Sequence, residues 1–252
     1  NKVIWIKGIP EDKIDGVIKD ITLYANESGM SKNAGRFLVE VRNAKLQRTQ
    51  HKRIAVIGWE EYISTYDTLL FAHLMASKKD IKIKLFQSYL AHVSAEICGY
   101  DSEICLEFLE DFRVEKDDPL EVFREMSDRY QGTGRGEFQE ELTQQHPFYY
   151  LHNNQIEKIR NSVWKAQVQV LFPYIEEYRI LIIDKWKDSI SQCLPIKDAF
   201  HESIENPVDV ELGTMFHLLH HGLVLDMDTE KAVRLLYKVR NKLAHLDICD
   251  SK

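Results

Sequence analysis

The spacing of apolar residues changes along this chain, and the change limits the folds that the chain can adopt. From Tyr62 onward, apolar side chains recur every three or four residues, which is the period of an amphipathic helix. Before Tyr62, short apolar runs rich in strand-forming residues surround one helical pattern. The sequence therefore predicts a mixed but mainly α-helical fold, with α/β organisation in its first quarter.

Residues 1–60 are expected to form an α/β module. The predicted strands are Val3–Ile6, Phe37–Val41 and Ile54–Ile57, and a helix is predicted over residues 11–26.

Three further parts follow the module. Residues 61–130 are predicted to be a helical segment, residues 131–147 a linker, and residues 148–252 a helical bundle. The linker is placed where three glycines fall within five residues, a pattern typical of a flexible connector. They are Gly132, Gly134 and Gly136.

The strands and helix of the α/β module resemble part of the sheet of a P-loop NTPase. The chain contains no G-x-x-x-x-G-K-[ST] sequence, which such proteins need to bind a triphosphate. The module is then either a degenerate relative that does not hydrolyse nucleotides, or the remainder of a longer protein. The start of the chain, Asn1 without a leader pattern, favours a longer protein.

Charge and cysteine content exclude several function classes. The net charge of -7 argues against a protein that coats nucleic acid through bulk electrostatics. Residues 1–59 carry 11 basic and 6 acidic side chains, whereas residues 60–144 carry 9 and 19. The four cysteines show neither disulfide-framework nor zinc-site spacing, so we expect a cytoplasmic protein without a cofactor. No apolar run is long enough to span a membrane.

The last predicted helix, which starts near Asp228 and ends near Leu246, has one polar face of particular interest. At 100° per residue, one narrow stripe collects its apolar side chains, and we expect that stripe to face the core. Arg240 lies at the border of this stripe, while Asn241 and His245 point away from it. The stripe contains Ala232, Leu235, Leu236, Val239, Leu243 and Leu246.

These residues resemble the signature of the HEPN (higher eukaryotes and prokaryotes nucleotide-binding) family. That signature is an Arg, usually followed by Asn, His or Asp, with a His five to seven positions after the Arg. Arg240, Asn241 and His245 match its shortest form. The resemblance covers the C-terminal third of the chain, and its motif lies on the last helix.

The resemblance implies an endoribonuclease that needs no metal ion, acting in a toxin or antiviral defence setting. Family members act as dimers whose last helices face each other, so a homodimer through this helix is expected. His245 would transfer a proton at neutral pH, and Arg240 would stabilise charge on the phosphate. Asn241 would orient His245 or the phosphate by hydrogen bonding, and Lys238 and Lys242 would contact RNA.

Other interpretations of these residues stay open. Histidine in the last turn of a helix is favoured by the helix dipole, and an Arg beside a core often keeps its head in water. The bundle would then be an inactive module for dimerisation or scaffolding, with a protein partner, or a regulatory fragment of a larger signalling NTPase.

Two weaker patterns occur in the sequence, and we predict no binding site from either of them. His217, His220 and His221 could offer imidazoles to a metal ion, but no Cys or carboxylate at metal-site spacing accompanies them. The basic segment at residues 45–53 could bind a phosphate or an acidic partner, although a solvated loop is the simpler interpretation. We predict no metal site.

Overall fold

The protein is mainly α-helical, as predicted, in the residues that the computed structural model describes. Those residues are 3–28, 35–41, 55, 62–138, 145–197 and 201–249. The chain divides into two compact units. The first unit contains Asn1–Tyr62 and Gln131–Arg135, and the second unit contains Ile63–Tyr130 and Gly136–Lys252.

The first unit contains a parallel strand pair joined by a helix. Strand β1 spans Val3–Ile6, helix α1 spans Ile14–Glu27 after a 3-10 turn, and strand β2 spans Arg36–Val39. The predicted order of strand, helix and strand is confirmed here. The predicted third strand, residues 54–57, lies outside the described residues apart from Ala55, and so does the basic segment 45–53.

Helix α1 covers one face of this sheet through an aromatic contact. The rings of Tyr24 and Phe37 meet edge to face, with centroids 5.3 Å apart. The Tyr24 hydroxyl also accepts the Gly35 N–H at 3.2 Å. Val3 and Trp5, on the other face, are exposed.

The second unit begins with four helices, which correspond to the predicted helical segment. Ser64 and Asp67 form a reciprocal capping box that starts the first of them. The N-cap residues of the next three are Ile83, Asp101 and Asp118, and both aspartate side chains accept backbone N–H groups. The helices are α2 (Thr65–Ala76), α3 (Lys84–Cys98), α4 (Ser102–Asp111) and α5 (Pro119–Arg129).

The remaining helices belong to the same unit. A short antiparallel strand pair and a 3-10 turn interrupt their sequence. The helices are α6 (Pro147–His152), α7 (Ile156–Lys185), α8 (Lys187–Ser191), α9 (Leu212–Leu219) and α10 (Met227–Ala244). The strands are β3 (Ile196–Lys197) and β4 (Ser203–Ile204).

One hydrophobic core joins the helices on both sides of the glycine-rich segment. The ring of Phe123 lies 6.0 Å from that of Phe108 and 5.0 Å from that of Phe148, and all three residues are fully buried. Ile159 and Val163 of α7 belong to the same cluster. The helices before and after residues 131–147, where the sequence placed a linker, therefore share one core.

Gly136 is required where the chain passes this core. Its φ of +83° lies in the left-handed region. A Cβ at this position would lie 2.9 Å from both the Cβ of Phe148 and the Nδ1 of His152. The glycine thus permits a close approach of the backbone to α6.

Helix α7 connects the main core to a second hydrophobic cluster. Its later residues Ile182 and Ile183 pack there with Met215 and Leu218 of α9 and with Val233 of α10. The helix continues through Pro173, which lies in its interior. Because residues of α7 are buried in both clusters, this helix links the main core to the second cluster.

Candidate functional site

Helix α10 carries the predicted site residues, and specific contacts fix its first turn. Asp226 is the N-cap, and its carboxylate accepts the Thr229 N–H at 2.7 Å and a hydrogen bond from Lys185 Nζ at 2.8 Å. The Lys185 ammonium and the Thr229 N–H hold the pKa of the Asp226 carboxyl well below its usual range.

The inner face of α10 packs on α7 and α9. Val233 and Leu243 are fully buried, and Trp164 Nε1 donates to the Leu243 carbonyl at 2.8 Å. On the α9 side, the Tyr237 ring stacks on Phe216 with centroids 4.4 Å apart. These contacts determine which face of α10 is left for solvent.

The predicted core stripe is wrong at two of its members. Leu235 is 61% exposed and Leu246 is 66% exposed. The stripe is displaced because the neighbouring helices cover the side of α10 that holds Val233 and Leu243. Leu246 also follows the end of the helix, with a φ of +60°, so a helical wheel does not describe its direction.

An open groove of about 490 Å³ runs along the outer face of α10. Most of its lining comes from successive turns of that helix, with additions from α9 and from the turn after α10. The lining residues are Phe216, Arg234, Tyr237, Lys238, Asn241, Lys242, His245 and Asp247.

Four of the five predicted site residues line this groove. Asn241 and His245 lie four residues apart on the same face, and His245 is exposed. Lys238 and Lys242 border the same space. The structure therefore brings an imidazole, an amide and two ammonium groups together on one surface.

Arg240, the fifth predicted residue, lies beside the groove. Its Nη2 is 3.9 Å from Oε2 of Glu211, which precedes α9. Its Nη1 donates to Asn241 Oδ1 at 3.4 Å. The Arg240 side chain is 44% exposed, and its hydrogen bond to Asn241 joins it to a residue that lines the groove.

The groove has a positive balance of charge with one carboxylate in it. Glu230 Oε1 accepts hydrogen bonds from Arg234 Nε at 2.9 Å and from Arg234 Nη2 at 2.8 Å. The Arg234 guanidinium also lies over the Phe216 ring. Asp247 accepts a hydrogen bond from Arg160 Nη2 at 2.7 Å. Glu230 thus offsets the charge of Arg234 and Arg160 offsets that of Asp247, and the other cationic side chains of the lining are Lys238 and Lys242, which favours an anionic ligand.

Sequence reasoning missed Phe216, Tyr237 and Asp247 as lining residues. Tyr237 precedes Asn241 by four positions, so the helical spacing could have placed it on the same side. Phe216 arrives from another helix, and no local pattern indicates that. Asp247 lies beyond the helix end, where helical spacing no longer applies.

The histidines near the end of α9 show no metal cluster. The rings of His217 and His221 stack with centroids 3.9 Å apart, and His220 Nε2 lies 3.4 Å from Arg234 Nη1. Within the part of the chain that the structure describes, no group of three or more metal-binding side chains occurs.

No family model matches the chain, and neither the curated proteins nor the solved structures contain a match to it. Among the described helices, none is both long and apolar enough to cross a membrane.

Proposed function

We propose that this protein is an endoribonuclease that cleaves RNA in the α10 groove without a metal ion. The observation that supports the proposal is the shared lining of Asn241 and His245 with Lys238 and Lys242. The match of Arg240, Asn241 and His245 to the HEPN signature points in the same direction, and the bundle of α7 to α10 would be the HEPN-like part. A toxin or antiviral defence setting is proposed from that resemblance.

The groove side chains supply the chemistry of RNA transesterification. His245 accepts the proton of a ribose 2′-hydroxyl, whose oxygen then attacks the adjacent phosphorus. The bond from phosphorus to the 5′-oxygen breaks, and that oxygen takes a proton from the protonated imidazole of His245. Lys238 and Lys242 hold the phosphate, and the products are a 2′,3′-cyclic phosphate and a 5′-hydroxyl.

A second copy of the chain completes this proposed site. The contact of Arg240 with Glu211 spans 3.9 Å between exposed groups, and such surface pairs contribute only about 0 to 1 kcal/mol. Arg240 is therefore free to turn toward a phosphate. The exposed Leu235 on α10 and the exposed Leu246 in the turn after it offer apolar area for a facing helix.

Single substitutions in the groove test the proposal. His245→Ala should reduce cleavage of a labelled RNA by about 100-fold or more, because general acid–base catalysis contributes about 10² to 10⁴. Arg240→Ala should reduce it as well. His221→Ala, which removes an exposed histidine outside the groove lining, should leave the rate unchanged. Equal rates for wild-type and His245→Ala would contradict the proposal.

The dimer is tested by mixing inactive variants. Arg240→Ala and His245→Ala proteins, incubated together, should recover part of the activity if one copy supplies Arg240 and the other His245. Sedimentation should also show a dimer that Leu235→Asp converts to a monomer. A wild-type monomer that cleaves RNA at full rate would contradict the composite site.

The second candidate is a non-enzymatic module that dimerises through α10 and binds a protein partner. The position of Arg240 beside the groove and the exposure of Leu235 and Leu246 favour it. It predicts a wild-type dimer without RNA cleavage. A third possibility, a regulatory part of a larger signalling NTPase, is supported only by the strand, helix and strand of the first unit.

A further inference from the structure

The place of His245 depends on the turn that follows it. His245 is the C-cap of α10, Leu246 N–H donates to Leu243 O at 3.2 Å, and Asp247 N–H donates to Lys242 O at 3.0 Å. This pair of bonds is a Schellman motif, in which the residue after the cap adopts the left-handed conformation. Here that residue is Leu246, with a φ of +60°, where glycine is usual. Contacts from elsewhere must therefore hold the turn.

Helix α7 supplies those contacts from one face. Arg160 Nη2 donates to Asp247 Oδ1 at 2.7 Å, and Trp164 Nε1 donates to the Leu243 carbonyl at 2.8 Å. One turn later, the amide of Gln167 binds both the N–H and the carbonyl of Cys249, at 2.7 and 2.8 Å. The three donors follow the helical spacing of α7 and reach the chain before and after His245.

The contact of Gln167 is deeply buried. Gln167 is 3% exposed, and its side-chain amide pairs with the backbone N–H and carbonyl of Cys249, as a neighbouring strand would. Ile248, between Asp247 and Cys249, is 6% exposed and belongs to the main core. The end of the described chain is thus fixed to α7 and to the core, whereas His245 itself stays exposed.

We propose that Arg160 and Gln167 are positioning residues for His245. They fix the turn after α10 and so the place of the imidazole in the groove, although neither of them lines it. This inference rests on the proposed ribonuclease function for its consequence in catalysis. Its structural part, the fixing of the turn, is measurable without RNA.

The expected kinetic effect separates turnover from binding. Proton transfer needs the imidazole within hydrogen-bond distance of the reacting oxygen, and a displacement of about 1 Å can cost about 10²-fold in rate. Lys238 and Lys242, which hold the phosphate, lie within α10 itself, so RNA binding should depend little on the turn. Loss of Arg160 should therefore lower kcat and leave KM nearly unchanged.

A double-mutant cycle tests this pairing. Arg160→Met keeps much of the aliphatic length of a side chain that is 38% exposed, and should lower kcat about 10-fold or more. Asp247→Asn should have a similar effect. The double variant should be no slower than the slower single variant, because both substitutions remove the same contact. Arg113→Met, which removes the ion pair with Asp117, is the control and should keep wild-type kcat.

Amide hydrogen exchange of the free protein gives the independent readout. In Arg160→Met, the N–H groups of His245, Leu246 and Asp247 should exchange about 3-fold to 5-fold faster, with the rest of α7 unchanged. Gln167→Met should have the same effect and also weaken protection at Cys249.

The outcomes distinguish the two proposals. Faster exchange at residues 245–247 with a wild-type protein that never cleaves RNA would contradict the ribonuclease but support the fixing of the turn. Unchanged exchange in both variants, or an equal change in kcat and KM, would overturn the positioning role.

Discussion

We expect Cys98 and Cys105 to be unreactive because both thiols are buried away from solvent. Both residues are fully buried, at the end of α3 and in the first turns of α4. Burial, and then the neighbouring Cys105 thiol, raise the pKa of the Cys98 thiol well above its usual range.

Thiol labelling tests this difference among the cysteines. A maleimide at pH 8 should modify the half-buried Cys193 and Cys249 first, because the thiolate is the reacting species and needs access. Cys98 should react only after denaturation. Mass spectrometry of the labelled peptides measures the order, and native labelling of Cys98 as fast as Cys193 would contradict the account.

Leu246 gives a second prediction for a single residue. Its φ of +60° is costly for a branched side chain, and its side chain is 66% exposed, so little packing opposes a change. Leu246→Gly should increase the free energy of unfolding by about 0.5 kcal/mol, the gain in the turn exceeding the entropy that glycine adds to the unfolded chain.

Leu246→Val should change the free energy of unfolding in the opposite direction. A β-branched residue suits the left-handed region even less, so this variant should be less stable than wild-type. Urea unfolding of both variants measures the difference. Two changes of the same sign would show that the backbone conformation at position 246 does not decide the effect.

At the scale of elements, Asp226 couples the start of α10 to the end of α7. Its carboxylate caps the helix through the Thr229 N–H and pairs with Lys185. Because its pKa is lower in the folded protein, the ionised form stabilises the fold. This contribution is present above the unfolded pKa of about 4 and is lost as the pH falls toward the folded value.

Asp226→Asn tests the pH dependence. Asparagine keeps a cap but loses the charge, so the variant should unfold at a lower temperature than wild-type at pH 7. The difference between the two proteins should shrink as the pH falls below about 4. Thermal unfolding from pH 7 to pH 2 follows this change, and a constant difference over that range would contradict the assignment.

The elements show what the sequence can predict and where it stops. The apolar period and capping residues locate α10 to within two residues at each end, because both signals act within the helix. The exposed Leu235 was assigned to the core because the period does not say which neighbours pack on which side. Phe216 joined the groove through a contact across two helices, which has no local signal.

At the scale of the whole molecule, the main core joins helices that lie on both sides of the glycine-rich segment. The glycine-rich segment resembles a linker in composition, yet Phe108 and Phe123 before it pack with Phe148 after it. Composition describes the segment alone, whereas the packing of the residues on either side of it depends on long-range contacts. For the same reason, the pairing of α7 with the turn after His245 could not be predicted.

Phe148→Ala tests the unity of this core. Phe148 is fully buried, so its truncation should cost about 3 to 5 kcal/mol of stability. Urea unfolding followed by circular dichroism and by tryptophan fluorescence should show the second unit unfolding in one transition at lower urea. A separate transition for α2 to α5 would contradict the single core.

The most direct test of the proposed function is the chemical nature of the RNA ends produced in the presence of a metal chelator. Wild-type protein should cleave an unstructured RNA in excess EDTA and leave a 2′,3′-cyclic phosphate on one fragment and a 5′-hydroxyl on the other. His245→Ala, folded as wild-type, should produce neither. Cleavage that EDTA abolishes, or that leaves a 3′-hydroxyl and a 5′-phosphate, would contradict catalysis by His245 in this groove.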